Sequence, residues 1–181
     1  MSNSHRKGRK AYLNDYKPKK GGGYEYKGKR YAYRGDQSFK SMLIRLWAFG
    51  GGAFACMIVA GSVSPPGING CAYVILPYAA GVIAAVSVVW ALCRLTARGQ
   101  SLEKHVYEAT VEALPKRGIM FLFFSAIALA GLAVYVIFNG FQQKFIHFLV
   151  FFAAQILGMV LIILLGRYIK RIEWHETPSQ N

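Results

Sequence analysis

Four polar side chains inside long apolar stretches are the first candidates for chemistry: Gln155, Ser87, Ser125 and His147. An amide in hydrocarbon needs a hydrogen-bond partner, which a facing serine or a neighbouring subunit can supply to Gln155. We interpret Gln155 mainly as a contact between helices, with a pore or substrate path as the alternative. His147 lies about one turn from the end of its apolar stretch, where we expect an ordinary interfacial histidine.

The acidic side chains all lie outside the apolar stretches. A proton- or cation-coupled carrier usually depends on a carboxylate at membrane depth, so the sequence argues against that class of transporter. His105 has Glu103 and Glu108 close by in sequence. One histidine flanked by glutamates is commonplace on a solvated helix, and we therefore predict no metal there.

The sequence carries no motif for catalysis or cofactor binding. It contains no HExxH, CxxC, GxSxG or glycine-rich phosphate loop, and Gly21–Gly23 is not followed by the helix that a phosphate cradle needs. Cys56, Cys71 and Cys93 match neither a disulfide framework nor a zinc spacing. We therefore predict no enzymatic activity, no cofactor and no metal.

Basic side chains and tyrosines alternate in the segment before the first apolar stretch. Such a segment suits an anionic membrane surface or an acidic partner protein. Nucleic acid fits it less well, because attachment to a membrane holds the segment at the leaflet. The predicted residues for binding lipid or a partner are Lys27, Lys29, Arg30, Arg34, Tyr24, Tyr26, Tyr31 and Tyr33.

Four stretches are long and apolar enough to cross a membrane as helices. Hydrocarbon about 30 Å thick needs roughly 20 apolar residues in helical form, and each stretch meets that length. The sequence thus predicts an all-α integral membrane protein with a bundle of four transmembrane helices, arranged as two hairpins. We expect the first helix to act as an uncleaved signal anchor, because it follows about forty polar residues. The predicted spans are Met42–Val63, Cys71–Cys93, Gly118–Phe138 and Phe145–Gly166.

Residues 1–41 are predicted to form a basic, tyrosine-rich tail that holds twelve of the 22 lysines and arginines. The pattern of Tyr24–Gly28 recurs in Tyr31–Gly35. Alternating tyrosines line one face of a strand, and Gly28 accepts the positive φ of a tight turn at no steric cost. The repeat therefore predicts a short β-hairpin between the two tyrosine pairs, or two extended arms.

The connector between the two helical hairpins, residues 99–117, is predicted to hold a short amphipathic helix. Its apolar residues repeat at helical spacing from Ser101 onward, and we expect Pro115 to end the helix. We expect this helix to lie on the membrane surface or against a partner, with its glutamates facing the basic tail. The apolar stripe consists of Leu102, Val106, Ala109 and Ala113.

Two features inside the predicted spans concern the packing of the helices. Gly50–Gly52 is a smooth surface for close helix contact, with a hinge beside a permeation path as the alternative. Pro77 removes a backbone hydrogen bond and is expected to kink the outer part of the second span.

The basic residues are divided unequally between the two sides of the predicted bundle. The side with the tail, the connector and the C-terminal segment 167–181 holds 21 of them, whereas the other side holds only Lys144. The positive-inside rule then predicts that both termini are cytoplasmic. We expect a multi-pass protein of the plasma (inner) membrane.

Composition and topology together predict a structural or accessory role. The basic cytoplasmic face is expected to bind anionic lipids of the inner leaflet or a partner subunit. The alternative is a small oligomeric transporter or channel, with a path lined by Gln155, Ser87 and Ser125. The expected partners are membrane lipids, another membrane protein or further copies of the chain.

Overall fold

The computed structural model describes residues 16–18, 24–26, 28–141 and 144–177, and helices dominate it. Four of the helices are long and apolar enough to cross a membrane, which confirms the prediction of a multi-pass, mainly helical protein. A short helix α2 links the first two long helices, and a single turn α4 precedes the third. The helices are α1 Phe39–Val63, α2 Pro66–Gly70, α3 Ala72–Arg98, α4 Lys104–Tyr107, α5 Ala113–Asn139 and α6 Phe145–Ile169.

The long helices extend beyond the predicted spans at one end of the bundle. There α1 and α5 begin while α3 and α6 end, and we call this the basic end. Helix α1 begins before its apolar run because the hydroxyl of Ser38 accepts a hydrogen bond from the Ser41 amide at 3.2 Å. Helix α3 continues to Arg98 and stops at Gly99, whose φ is 75°. Apolar runs mark the part that crosses hydrocarbon, whereas a helix continues until a residue caps it.

The predicted amphipathic helix of the connector is wrong at both of its ends. Ser101–Glu103 forms a strand rather than a first helical turn, and Leu102 is buried in that conformation. Further on, Glu108–Glu112 is a π-helical turn that joins α4 to α5, and the helix continues through Pro115. Proline is tolerated in the first turn after such an irregularity, because little regular hydrogen bonding is lost there.

Five short strands gather segments that are far apart in the sequence. The strands are β1 Tyr16–Pro18, β2 Tyr24–Tyr26, β3 Arg30–Tyr33, β4 Ser101–Glu103 and β5 Trp174–Thr177. Strands β1 and β2 pair antiparallel with each other, and β3 pairs antiparallel with β4 on one side and β5 on the other. We call the three-stranded sheet and α4 the cap.

The predicted hairpin between the two tyrosine pairs is therefore wrong in its pairing. Both segments are extended, as the alternation of tyrosines indicates, but β2 pairs with an earlier segment and β3 with two later ones. Tyr31 lies opposite both Leu102 and Glu176. A two-stranded hairpin is marginally stable by itself, whereas a central strand satisfies the hydrogen bonds on both of its edges.

The closest helix contacts join the two helical hairpins rather than the helices within each one. Helix α3 packs most extensively on α5, and α1 on α6. The helix-contact interpretation of Gly50–Gly52 agrees with this arrangement. Gly50 is buried against Leu92 and Leu165, and Gly52 faces Leu161. Small residues let helices approach closely where lipid provides no hydrophobic force between them.

Gly131 and Pro77 together explain the close approach of α5 to α3. Because Pro77 has no N–H, the carbonyl of Tyr73 loses the donor that an α-helix normally places four residues later. That carbonyl oxygen faces Gly131, and a Cβ at Gly131 would lie 2.8 Å from it. The backbone of Tyr73 thus occupies the space that any larger residue at position 131 needs.

We expect Gly131→Ala to destabilise the bundle by about 1–3 kcal/mol, because the new methyl group meets a backbone atom that cannot rotate away. The measurement is the unfolding midpoint of the purified protein in a denaturing detergent, followed by circular dichroism. Gly166→Ala is the matched control, since no atom of the residues that the structure describes lies within 4 Å of a Cβ at that position. Equal midpoints for the two variants would contradict the packing described at Gly131.

Candidate functional site: the basic end of the bundle

Aromatic side chains hold the cap together. The ring of Tyr31 stacks on Tyr107, with centroids 4.3 Å apart and planes 13° apart. Trp174 meets both Tyr107, at 5.7 Å, and Tyr33, at 5.9 Å, edge to face. These rings come from β3, α4 and β5, so each contact joins segments from different parts of the chain. Aromatic pairs of this kind contribute about 0.5–1.5 kcal/mol each beyond their buried area.

A second cluster ties β1 to β4 through one carboxylate. The hydroxyl of Tyr16 donates to Oε2 of Glu103 at 2.8 Å, and Nδ1 of His105 lies 3.5 Å from the same oxygen. The Tyr26 ring lies against both Tyr16 and His105, with centroids 5.2 and 6.4 Å away. Its hydroxyl donates to the carbonyl of Lys29 at 3.2 Å. The cluster therefore fixes the strand pair β1–β2 against the cap.

The environment of this cluster keeps the Tyr16 phenol protonated. Burial, the hydrogen bond to Glu103 and the negative charge of Glu103 raise the pKa of Tyr16 from 10.0 to about 12. A raised pKa means that the folded protein favours the neutral phenol. The resulting stability is present below the ordinary pKa and is lost as the pH rises from 10 through 12. Near neutral pH, Tyr16 is thus a structural donor and not an acid–base group.

The residues predicted to bind lipid or a partner separate into two groups. Tyr26 is buried, and Tyr31 and Tyr33 are half-buried in the cap, so these three rings stabilise the fold. The second group is exposed and consists of Tyr24, Lys29, Arg30 and Arg34. Lys27 lies outside the described residues.

The exposed tail cations remain available at the surface. The ammonium of Lys29 pairs with Glu176 of β5 at 2.7 Å, and this partner raises the pKa of Lys29. The guanidinium of Arg30 lies 6.0 Å from the centre of the Tyr26 ring. Both side chains are largely solvated, and exposed ion pairs contribute little to stability. Their positive charge is thus directed outward.

Six exposed cations lie at the basic end of the bundle, and we call this set the basic collar. All four long helices contribute to it at or near their ends, and all of its members are exposed. None of them forms an ion pair with a carboxylate in the part of the chain that the structure describes. The collar consists of Lys40 and Arg45 on α1, Arg98 on α3, Lys116 on α5, and Arg167 and Lys170 at the end of α6.

Arg117 differs from the collar because it is half-buried between helices. Its guanidinium donates through Nη1 to the carbonyl oxygen of Ser87 and through Nη2 to the carbonyl oxygen of Ala109 at 3.1 Å. Ala109 lies in the π-helical turn, where the amide of Ala113 donates to Thr110. Arg117 thus supplies a donor to an irregular turn and joins that turn to α3.

The sequence indicated Arg117 only as one more basic residue of the connector. The signal that points to it is the π-helical turn before Pro115, where the carbonyl oxygen of Ala109 accepts from Arg117. That turn is visible only in the structure. Five of the collar cations lie just outside the predicted spans, and Arg45 lies near the start of the first one.

The polar side chains within the helices do not form one continuous site. The hydroxyl of Ser87 donates to the carbonyl of Ala84 at 2.7 Å, and His147 is exposed near the start of α6, at the other end of the bundle. Gln155 and Ser125 have no exposed surface, and their side-chain polar atoms have no hydrogen-bond partner among the described residues. The predicted bond from a serine to Gln155 is thus absent from this set.

We expect Glu103→Gln to lower the pKa of Tyr16 from about 12 towards, but not to, its ordinary value of 10.0. The substitution removes the negative charge, whereas burial, the first cause of the shift, remains. The measurement is an ultraviolet titration of tyrosinate, taken as the difference between each protein and the same protein carrying Tyr16→Phe.

Glu176→Gln is the matched control for this titration. It removes a carboxylate of the same cap that pairs with Lys29 and does not contact Tyr16. The Tyr16 titration is expected to be unchanged in the control. An equal effect of both substitutions would contradict the role assigned to Glu103.

Comparison with known proteins adds no relative to this description. No protein-family model matches the chain, and no curated protein or solved structure matches it at a significant level. Any functional conclusion about this molecule thus depends on the chemistry of the basic end itself.

Proposed function

We propose that the chain is a membrane scaffold whose basic end binds the anionic headgroups of one leaflet. The observation that carries the proposal is the basic collar, six exposed cations distributed over all four long helices. Cations at this position meet phosphate groups as soon as the helices lie in a bilayer. Each basic residue near an anionic surface contributes about 1 kcal/mol to the attraction.

The stability of the helices does not explain all of these cations. Lys40 lies in the first turn of α1, which has no acidic residue. A positive charge there opposes the helix dipole, whereas Arg98 and Lys170 lie at helix C-termini, where a positive charge is favourable. Lys40 is thus better explained by an external anion than by its own helix.

The cap gives the basic end a fixed shape. Strand β3 comes from the tail, β4 from the connector and β5 from the C-terminal segment. Their pairing directs the tyrosines of β3 inward, while Lys29, Arg30 and Arg34 stay exposed. The result is an ordered basic surface rather than a loose charged tail, as suits a structural or accessory role.

We place the basic end, with both termini, on the cytoplasmic side of the plasma (inner) membrane. The support is the division of 21 lysines and arginines on that side against Lys144 on the other. Because this proposal concerns orientation alone, it can fail without affecting the binding of anionic lipid.

A transport path has weaker support than a scaffold. Gln155 and Ser125 are fully enclosed by the bundle, whereas Ser87 lines a groove that opens to the side between α3 and α5. His147 is exposed near the other end of the bundle. A path along these residues would need to connect positions on different faces of the helices.

We expect the full-length protein in mixed-lipid vesicles to prefer phosphatidylglycerol over phosphatidylcholine, as measured with spin-labelled lipids. Neutralising one collar cation on each helix, with Lys40→Gln, Arg98→Gln, Lys116→Gln and Lys170→Gln together, removes several attractions of about 1 kcal/mol each. The preference should fall roughly fivefold or more. Added salt should weaken it in the original protein, since it screens exposed charges.

Lys144→Gln is the matched control, because this exposed lysine precedes α6 at the other end of the bundle. It should leave the preference at the basic end unchanged. A protein that binds both lipids equally, or a collar variant that keeps the full preference, would contradict the proposal.

We expect a cysteine placed at Lys144 to react with a membrane-impermeant maleimide on intact cells, and one placed at Arg171 to react only after permeabilisation. The proposed orientation exposes the first to the outside and the second to the cytoplasm. Both substitutions are made in a Cys71→Ala, Cys93→Ala background, because Cys71 is half-buried just before α3 and Cys93 is exposed near its other end. The reverse labelling pattern would invert the orientation.

A further inference from the structure

We propose that the groove between α3 and α5 binds one anionic phospholipid, with its phosphate on Arg117 and an acyl chain along the groove. The walls of the groove are almost entirely apolar, and among the described residues Arg117 is the one charged residue that lines it. A ligand that fits must combine a long apolar part with an anionic group. A phospholipid of the surrounding leaflet has both.

The position of the guanidinium is set before any ligand binds. Its bonds to the carbonyls of Ser87 and Ala109 hold it between α3 and the π-helical turn. A guanidinium has five N–H donors in a rigid plane, and these two bonds leave others for an anion. Arginine presents such donors in a geometry that matches phosphate.

The charge of Arg117 is not neutralised by the described part of the protein. Carbonyl oxygens accept its hydrogen bonds but carry no net charge. The nearest carboxylate in sequence, Glu112 of the π-helical turn, is exposed and forms no ion pair with it. A half-buried cation at the edge of hydrocarbon is costly unless it is paired. A lipid phosphate supplies the missing negative charge.

The rest of the groove suits an acyl chain rather than a free anion. Ile83, Trp90 and Met120 are exposed by 70%, 68% and 54%, and they line the groove together with Ala80. Trp90 is also the kind of residue that favours the membrane–water interface. A chain lying in the groove covers this apolar surface, and inorganic phosphate does not.

This site is separate from the collar, although both would contact anionic headgroups. The collar variant described above keeps Arg117, Trp90 and Ala80. Unchanged lipid preference in the collar variant, together with binding that is lost in Arg117→Gln, would remove the proposed function and leave this inference standing. Lost preference in the collar variant, together with full binding by Arg117→Gln, would overturn this inference and leave the proposed function standing.

The test measures lipid binding to the full-length protein by native mass spectrometry, with phosphatidylglycerol as the probe. We expect one retained phosphatidylglycerol per chain and at least about tenfold less binding for Arg117→Gln, since a hydrogen bond to a charged group is lost. Lys104→Gln is the matched control. It removes one exposed positive charge that belongs neither to the collar nor to the lining of the groove, and should bind as the original protein does.

A second variant tests the groove without touching the charge. Ala80→Phe fills the apolar part of the groove and should reduce phosphatidylglycerol binding even though Arg117 is intact. This variant tests the proposal even if Arg117→Gln does not fold. The proposal would be overturned if phosphatidylcholine bound as well as phosphatidylglycerol, or if either groove variant kept full binding of phosphatidylglycerol. It would also be overturned if inorganic phosphate raised the melting temperature of the protein as much as phosphatidylglycerol does.

Discussion

The pairing of β3 with two other strands is the interaction on which the basic end depends. A strand of the tail lies between a strand of the connector and a strand of the C-terminal segment, and the backbone hydrogen bonds of all three are shared. Each strand is too short to be stable alone. Because β4 follows α3 and β5 follows α6, the sheet also links the end of a helix from one hairpin to the end of a helix from the other.

Inside the bundle, close backbone contact replaces the hydrophobic force that holds a soluble core together. Lipid is as apolar as the helix surfaces, so the helices gain mainly from tight packing and from hydrogen bonds between them. The carbonyl of Tyr73 packs directly against Gly131, and the side chain of Leu92 packs directly against Gly50. The same requirement explains Arg117, which supplies a donor where the π-helical turn departs from regular bonding.

The two kinds of tail residue have different roles once the fold is known. The tyrosines of β3 turn inward onto Tyr107 and Trp174, where they hold the sheet together. Arg30 before them and Arg34 after them remain exposed. An alternating sequence on a strand produces this separation, because successive side chains point to opposite faces.

The sequence by itself determined the four spanning helices and the concentration of cations at one end. The length, hydropathy and charge of a segment are local properties, and they do not depend on which other segments it contacts. It also predicted that the two tyrosine segments are extended. The strand partners were decided only by the tertiary structure, because Tyr31 meets residues more than seventy positions away. The continuation of the helix through Pro115 and the role of Arg117 follow from one irregular turn. Local spacing cannot show which backbone carbonyls a distant arginine reaches.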